Sequence, residues 1–242
     1  MISESRFTAI KIDGICKDSY LTSPLFEIMT KNKGFDIKIV NNTAPNYQEC
    51  LDICKPTWKH EVLQYNFDAQ DFNGHCTNKI RAMLDAVKNN WGAHLIYLDT
   101  DVFQVKPIKE EIFTHDIITT RMVIRPDRPY YKEVNAGVFF MRANSKTQKF
   151  CEEWLELDKE YQKDKSIPYP EQRAFNDLCY KYYDSDDELT VGNVSENLYN
   201  LEADDTKDWM ERIEKYKPYL IHLKNKRWQK EFSMNWLYGI IK

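Results

Sequence analysis

Short apolar runs alternate along the chain with amphipathic stretches, and the alternation predicts strand and helix in turn. FTAIKI (7–12) and FDIKIV (35–40) read as strands, with a helical stretch around 20–33 between them. Residues 46–55 read as helical and HEVLQYNF (60–67) as a third strand. In CTNKIRAMLDAVKN (76–89), Ile80, Met83, Leu84 and Val87 recur at the spacing of one helix face. HLIYL (94–98) is apolar throughout, the pattern of a strand buried on both faces. Strands and helices joined by short connections predict an α/β fold, a mostly parallel central sheet flanked by helices.

The second half reads differently. DIITTRMVI (116–124) and AGVFFMR (136–142) are strand-like and joined by the polar loop RPDRPYYKEVN. Helices are expected near 145–163, 170–182 and 207–216, and a strand at YLIHL (219–223). Residues 184–206 are acidic and polar with weak periodicity, and an aromatic tail (Trp228, Phe232, Trp236, Tyr238) follows. With no internal repeat or long linker, residues 1–242 are expected to form one domain. It divides at about residue 105 into a first half (about 1–105) and an appended second half (about 106–242).

Composition narrows this picture. The 242 residues suit one such domain, and a net charge of −4 provides no basic footprint, so nucleic acid is not an expected partner. No run approaches the roughly 18 apolar residues of a transmembrane helix, and MISESRFTAIKIDG has no signal-peptide core, so a soluble or membrane-peripheral cytoplasmic protein is expected. The six cysteines contain no CxxC pair; Cys50 and Cys54, one helical turn apart, read with the others as isolated thiols. Fifteen Tyr, twelve Phe and six Trp are many for this length; most are expected in the core, and exposed ones could stack on sugar rings or bases.

LIYLDTDVFQVKPI (95–108) carries the chemistry. A buried strand runs into Asp99, Thr100 and Asp101. In parallel sheets ligands bind beyond the carboxyl ends of the strands, and two carboxylates there can converge on a hard cation such as Mn²⁺ or Mg²⁺. Elsewhere such a pair would cap a turn or face solvent. Two chemistries use a strand ending in DxD. Phosphoryl transfer by haloacid-dehalogenase-type phosphatases places the motif on the first strand, with Thr or Val four residues after the nucleophile; here it lies near residue 100 and that position is Phe103. Glycosyl transfer from a nucleotide sugar places it after the nucleotide-binding strands, and the position favours this second chemistry.

LIYLDTDVFQVKPI, EVNAGVFFMRANSKTQKFCEEWLE, PEQRAFNDLCY and YLIHLKNKRW, in that order, resemble the motifs of metal-dependent glycosyltransferases of the GT-A fold. The resemblance covers roughly residues 60–230 and is closest to retaining galactosyl-, xylosyl- and glycogenin-like families. It implies a GT-A-like, Rossmann-like sheet and transfer of a hexose or pentose from a nucleoside-diphosphate sugar, with a UDP-sugar as the expected donor. The implied acceptor is a hydroxyl of a carbohydrate, glycolipid or glycoprotein.

The resemblance also implies roles. Asp99, Asp101 and His222 would hold the cation, with Asp99 reaching the ribose as well. Asn135 and Ala136 would contact the transferred sugar, and Gly137 would let the backbone approach it. Glu171 and Gln172, which also suit a helix start after Pro170, would stand beside the anomeric carbon; relatives often carry Asp–Gln there. Lys79 or Arg81 would reach the donor, with Arg81 favoured because it flanks the apolar stripe. Asp13 would contact the base, and one of Lys224, Lys226 and Arg227 the diphosphate. Relatives often carry Gly and Lys three and six residues after the histidine, where this chain has Asn225 and Trp228. A phosphoryl-transfer enzyme and a nucleotide-sugar-binding module without turnover are the competing readings.

Overall fold

The computed structural model describes residues 36–69, 71–121, 134–183, 188–203 and 209–223. The strand expected at 7–12, the helix near 20–33, Asp13, Lys224, Lys226, Arg227, most of the 125–135 loop and the aromatic tail lie outside them. In chain order the elements are β1 (Ile37–Asn42), α1 (Gln48–Cys54), β2 (Glu61–Tyr65), α2 (Phe72–Asn89), β3 (His94–Leu98), β4 (Val102–Gln104), β5 (Ile117–Arg121), β6 (Val134–Arg142), α3 (Ser145–Tyr161), α4 (Pro170–Tyr183), β7 (Val191–Val194), α5 (Glu196–Tyr199), β8 (Leu201–Ala203), α6 (Trp209–Tyr216) and β9 (Leu220–Leu223).

Six strands form the main sheet in the order β2-β1-β3-β6-β5-β7. β6 runs antiparallel to both its neighbours, and the other pairings in this sheet are parallel. The expected mostly parallel α/β sheet is therefore what the chain builds. Strand alternation divides the apolar residues between two faces. Leu95, Tyr97, Phe139 and Met141 join a core with Met83, Trp154 and Phe175 of α2, α3 and α4. Ile96, Leu98, Val138 and Phe140 join a second core with Leu51 of α1 and Leu220 of β9.

Helix starts follow local chemistry. The Asp71 carboxylate accepts from the Gly74 amide at 2.7 Å and caps α2, four residues before the predicted start. Asn144 and Thr147 form a reciprocal capping box at α3.

A second sheet, β4-β9-β8, is made of strands three or four residues long. β4 and β8 were not expected as strands, and β7, α5 and β8 all fall within 184–206, where no element was predicted. At that length neither alternation nor a helical stripe has room to emerge.

β6 also departs from a regular strand. Thr119 pairs with Phe139 and Arg121 with Val134, so two positions of β5 span five of β6. The surplus residues include Asn135, Ala136 and Gly137, which bulge out of the β5 ladder. Bulges re-aim groups beside active sites.

Candidate active site

The two carboxylates occupy the junction between the sheets: β3 ends at Leu98 in one, and β4 begins at Val102 in the other. Four carbonyls around the turn are held. Leu98 O accepts from Asn41 Nδ2 (2.7 Å), Asp99 O from the Val102 amide (3.2 Å), Asp101 O from the Leu223 amide (2.9 Å) and Val102 O from Trp58 Nε1 (2.9 Å). A rigid backbone here leaves the Asp99 and Asp101 side chains little freedom except toward the cleft, about 360 Å³ in volume, that they line.

His222 reaches the same point from the second sheet, where it pairs with Val102 in register. Its Nε2 lies 3.1 Å from Asp101 Oδ1 and 3.9 Å from Asp99 Oδ2. One donor atom from each of the three residues falls within 4.8 Å of the others. Two carboxylate oxygens and one imidazole nitrogen could together hold a divalent cation and leave further coordination positions open. Gly137 makes this convergence possible. A Cβ there would lie 2.6 Å from His222 Cε1, 2.8 Å from Asn135 Oδ1 and closer still to Asp99 Oδ2.

The bulge supplies the rest of that wall. The Gly137 carbonyl accepts from the Asp99 amide at 2.8 Å, and the Gly137 amide donates to Asn135 Oδ1 at 2.6 Å. The Ala136 amide donates to Gln172 Oε1 at 2.9 Å. Gln172 Nε2 donates to Val134 O and, at 3.1 Å, to Asn176 Oδ1. The Gln172 amide therefore pins α4 to the bulge. Asn135 Nδ2 donates to Glu202 Oε1 at 3.2 Å.

Against Asp99 stand Lys79 and Glu171, which are 8% and 3% exposed. Lys79 Nζ lies 3.3 Å from Asp99 Oδ1 and 3.2 Å from Glu171 Oε1, and 5.1 Å over the Tyr97 ring. Burial works against the ammonium, yet the two carboxylates hold its pKa well above the ordinary lysine value. Burial pushes Glu171 up to about 7, against the pull of Lys79. Trp154 Nε1 donates to Glu171 O at 2.9 Å and fixes the first turn of α4.

Of the two basic candidates on α2, the fold brings Lys79 to the cleft and leaves Arg81, the one favoured from the sequence, on the outer face. Lys79 shares a helix face with Met83 and Ala86, which points into the molecule. Arg81 shares the opposite face with Asp85 and Lys88, is exposed, and its Nη1 bonds Asn78 Oδ1 at 3.0 Å. Flanking an apolar stripe does not decide which way a side chain turns.

Some cleft residues carried no sequence signal. β1, a parallel neighbour of β3, ends at Asn42, which lines the cleft with Tyr47 and His75. The rim carries Phe72 and Tyr169, 50% and 60% exposed, edge to face with centroids 6.0 Å apart. The His222 Nδ1 partner, Asn200 Oδ1 at 2.9 Å, lies in the stretch where no element was foreseen.

This geometry coincides with relationships to known proteins. A sequence profile described as nucleotide-diphospho-sugar transferase matches residues 40–234. A glycosyltransferase involved in glycosylation of the major capsid of PBCV-1 superposes with a TM-score of 0.61 at 12% identity, covering 81% of this chain and 97% of that one. The glycosyltransferase GlyE of Streptococcus pneumoniae TIGR4 superposes with a TM-score of 0.55 at 11% identity, covering 86% of this chain and 62% of GlyE. At such identities the superpositions speak for the fold. No curated protein sequence matches this chain.

Proposed function

The chain belongs to the nucleotide-diphospho-sugar transferase family, and on that premise we propose that it moves a hexose or pentose from a nucleoside-diphosphate sugar, UDP-linked, to an acceptor hydroxyl, with cation dependence and retention of anomeric configuration. The observation that carries this reading is the convergence of Asp99, Asp101 and His222 at the junction of two sheets, with the buried Lys79–Glu171 pair in contact with Asp99.

The chain's own residues then divide the work. Asp99, Asp101 and His222 are the set that would hold Mn²⁺ or Mg²⁺, which when bound would offset charge on the departing diphosphate. The bond from the anomeric carbon to phosphate oxygen breaks, and the diphosphate leaves with the electron pair. The acceptor oxygen bonds the anomeric carbon on the same face, and its proton passes to the departing phosphate oxygen.

Glu171, kept partly ionised by Lys79, faces the electron-poor sugar ring and stabilises its positive charge. Gln172 acts as a positioning residue through the bulge. Asn42, the last residue of β1, and Tyr47, five residues beyond it, line the cleft where we place the nucleotide. Phe72 and Tyr169 give an acceptor sugar two exposed rings to pack on. Among the described residues no helix is long and apolar enough to cross a membrane, and we read the setting as cytoplasmic.

The test is a panel of nucleoside-diphosphate sugars assayed for nucleoside diphosphate release with Mn²⁺, with Mg²⁺ and with chelator, alongside Asp101→Ala. We expect one donor to be consumed, dependence on the cation, and a loss of about 10²–10³-fold in the variant. NMR of the product anomer reads retention. Silence across the panel together with cation-dependent cleavage of a phosphomonoester would replace the assignment with phosphoryl transfer.

A further inference from the structure

His222 has one ring nitrogen toward Asp101 and the other toward Asn200, and in its neutral form only one proton to share between them. If the proton sits on Nε2, the ring donates to Asp101 and has no lone pair for a cation. If it sits on Nδ1, Nε2 is a ligand. What selects between them is a buried chain of three further groups. The Val138 carbonyl accepts from Thr120 Oγ1 at 3.3 Å; Thr120 Oγ1 accepts from Asn200 Nδ2 at 3.0 Å; Asn200 Oδ1 faces His222 Nδ1 at 2.9 Å. Thr120 is 0%, Asn200 2% and His222 1% exposed, so water cannot substitute for a missing partner.

The chain has a direction. A backbone carbonyl can only accept, so the Thr120 hydroxyl must spend its proton there and offer its lone pairs to Asn200. Asn200 must answer with its NH₂, which turns its oxygen to His222. That oxygen can only accept, so Nδ1 carries the proton. The geometry is available because Thr120 lies where the β5–β6 ladder breaks at the bulge.

We infer that Thr120 and Asn200 are positioning residues that hold His222 as the Nδ1–H tautomer and thereby make Nε2 a metal ligand. The inference deepens the proposed cation site and rests on it, but its primary readout needs no cation. Long-range ¹⁵N–¹H correlation of the metal-free protein, at a pH where the ring is neutral, distinguishes a protonated from an unprotonated ring nitrogen. His222 signals among the five histidines are identified by their loss in His222→Gln.

We expect Nδ1–H in the wild type, a shift toward Nε2–H in Asn200→Leu, a mixture in Thr120→Val, and Nδ1–H restored in Asn200→Asp, which again presents an acceptor. Mn²⁺ affinity by titration should fall about 10–100-fold in Asn200→Leu and recover in Asn200→Asp. Circular dichroism confirms that each variant is folded. Nε2–H in the wild type, or an unchanged tautomer in folded Asn200→Leu and Thr120→Val, would overturn the inference. Failure of Mn²⁺ to bind a wild type that shows Nδ1–H would overturn the cation reading and leave the tautomer assignment standing.

Discussion

His94 opens β3 and Asp99 follows its last residue, so one strand leads titratable side chains into two different buried settings. His94 stacks on Phe113, ring centroids 4.2 Å apart and 9° from parallel. Burial, with Arg142 adding to it, pushes its pKa down to about 4, and the ring is neutral at pH 7. At the other end Lys79 is as thoroughly enclosed but remains charged, because Asp99 and Glu171 face it. Enclosure alone discards a charge; opposite charges must be built around a charge that is to survive it. Along β3 that construction is found at the end that borders the cleft.

The largest effect expected from breaking this contrast is Lys79→Met. It leaves the Glu171 carboxylate buried without its cation and should destabilise the protein by about 3–5 kcal/mol at pH 8. The sign with pH follows from Glu171. Its folded pKa of about 7 stands above its ordinary 4.5, so the folded state binds more protons in that window and stability declines as pH rises through it. Without Lys79 that window extends upward. The deficit of the variant should therefore be smaller at pH 5 than at pH 8, as chemical denaturation at the two pH values would show; an equal deficit would mean that Lys79 does not balance Glu171.

Each end of β3 also depends on a glycine, for different reasons. Gly137→Ala puts a methyl into Asp99 and His222, and should lose about 1–3 kcal/mol of stability together with Mn²⁺ binding. Gly92, two residues before His94, has φ +86° and open space around its Cβ position. Gly92→Ala should lose about 1 kcal/mol or somewhat more by backbone strain alone, with Mn²⁺ affinity unchanged. Thermal unfolding and metal titration of the pair separate a steric from a conformational requirement.

The smallest expected change at neutral pH belongs to His94. Its folded pKa lies below the ordinary 6.5, so the unfolded chain binds the extra proton and stability falls as pH drops from 6.5 toward 4, by about 1.4 kcal/mol per unit. This slope opposes that of Glu171 and is read as a difference between wild type and His94→Phe, which keeps the stack and removes the slope. A variant with the same acid limb as the wild type would show that His94 does not remain neutral in the folded state.

How much of this the sequence disclosed depends on the range of the interaction. β3 was predicted at its observed bounds, because five consecutive apolar residues need both faces buried. Asp99, Asp101 and His222 were expected together, and the fold brings them together. What escaped was set by pairing partners. That β1 lies beside β3 and delivers Asn42, or that Thr119 and Arg121 pair with residues five apart on β6, is a fact about register between distant segments. Lys79 and Arg81 are two residues apart on one helix, and only the packing of that helix chose between them. Asn200 lies between Tyr199 and Leu201 with no periodic context, and its importance depends on Thr120, eighty positions away.

The three candidate ligands are split between the sheets, two on the turn that joins them and one on β9. Anything that gripped all three would also couple the small sheet to the large one. Its binding free energy would then be shared with the opening equilibrium of the three short strands, which have few backbone partners of their own. Amide protons of β4, β8 and β9 should accordingly exchange more slowly with Mn²⁺ present, while those of β1 and β3 barely respond. The cleft would thus be a site whose substrate-side wall is assembled to full rigidity only when it is loaded.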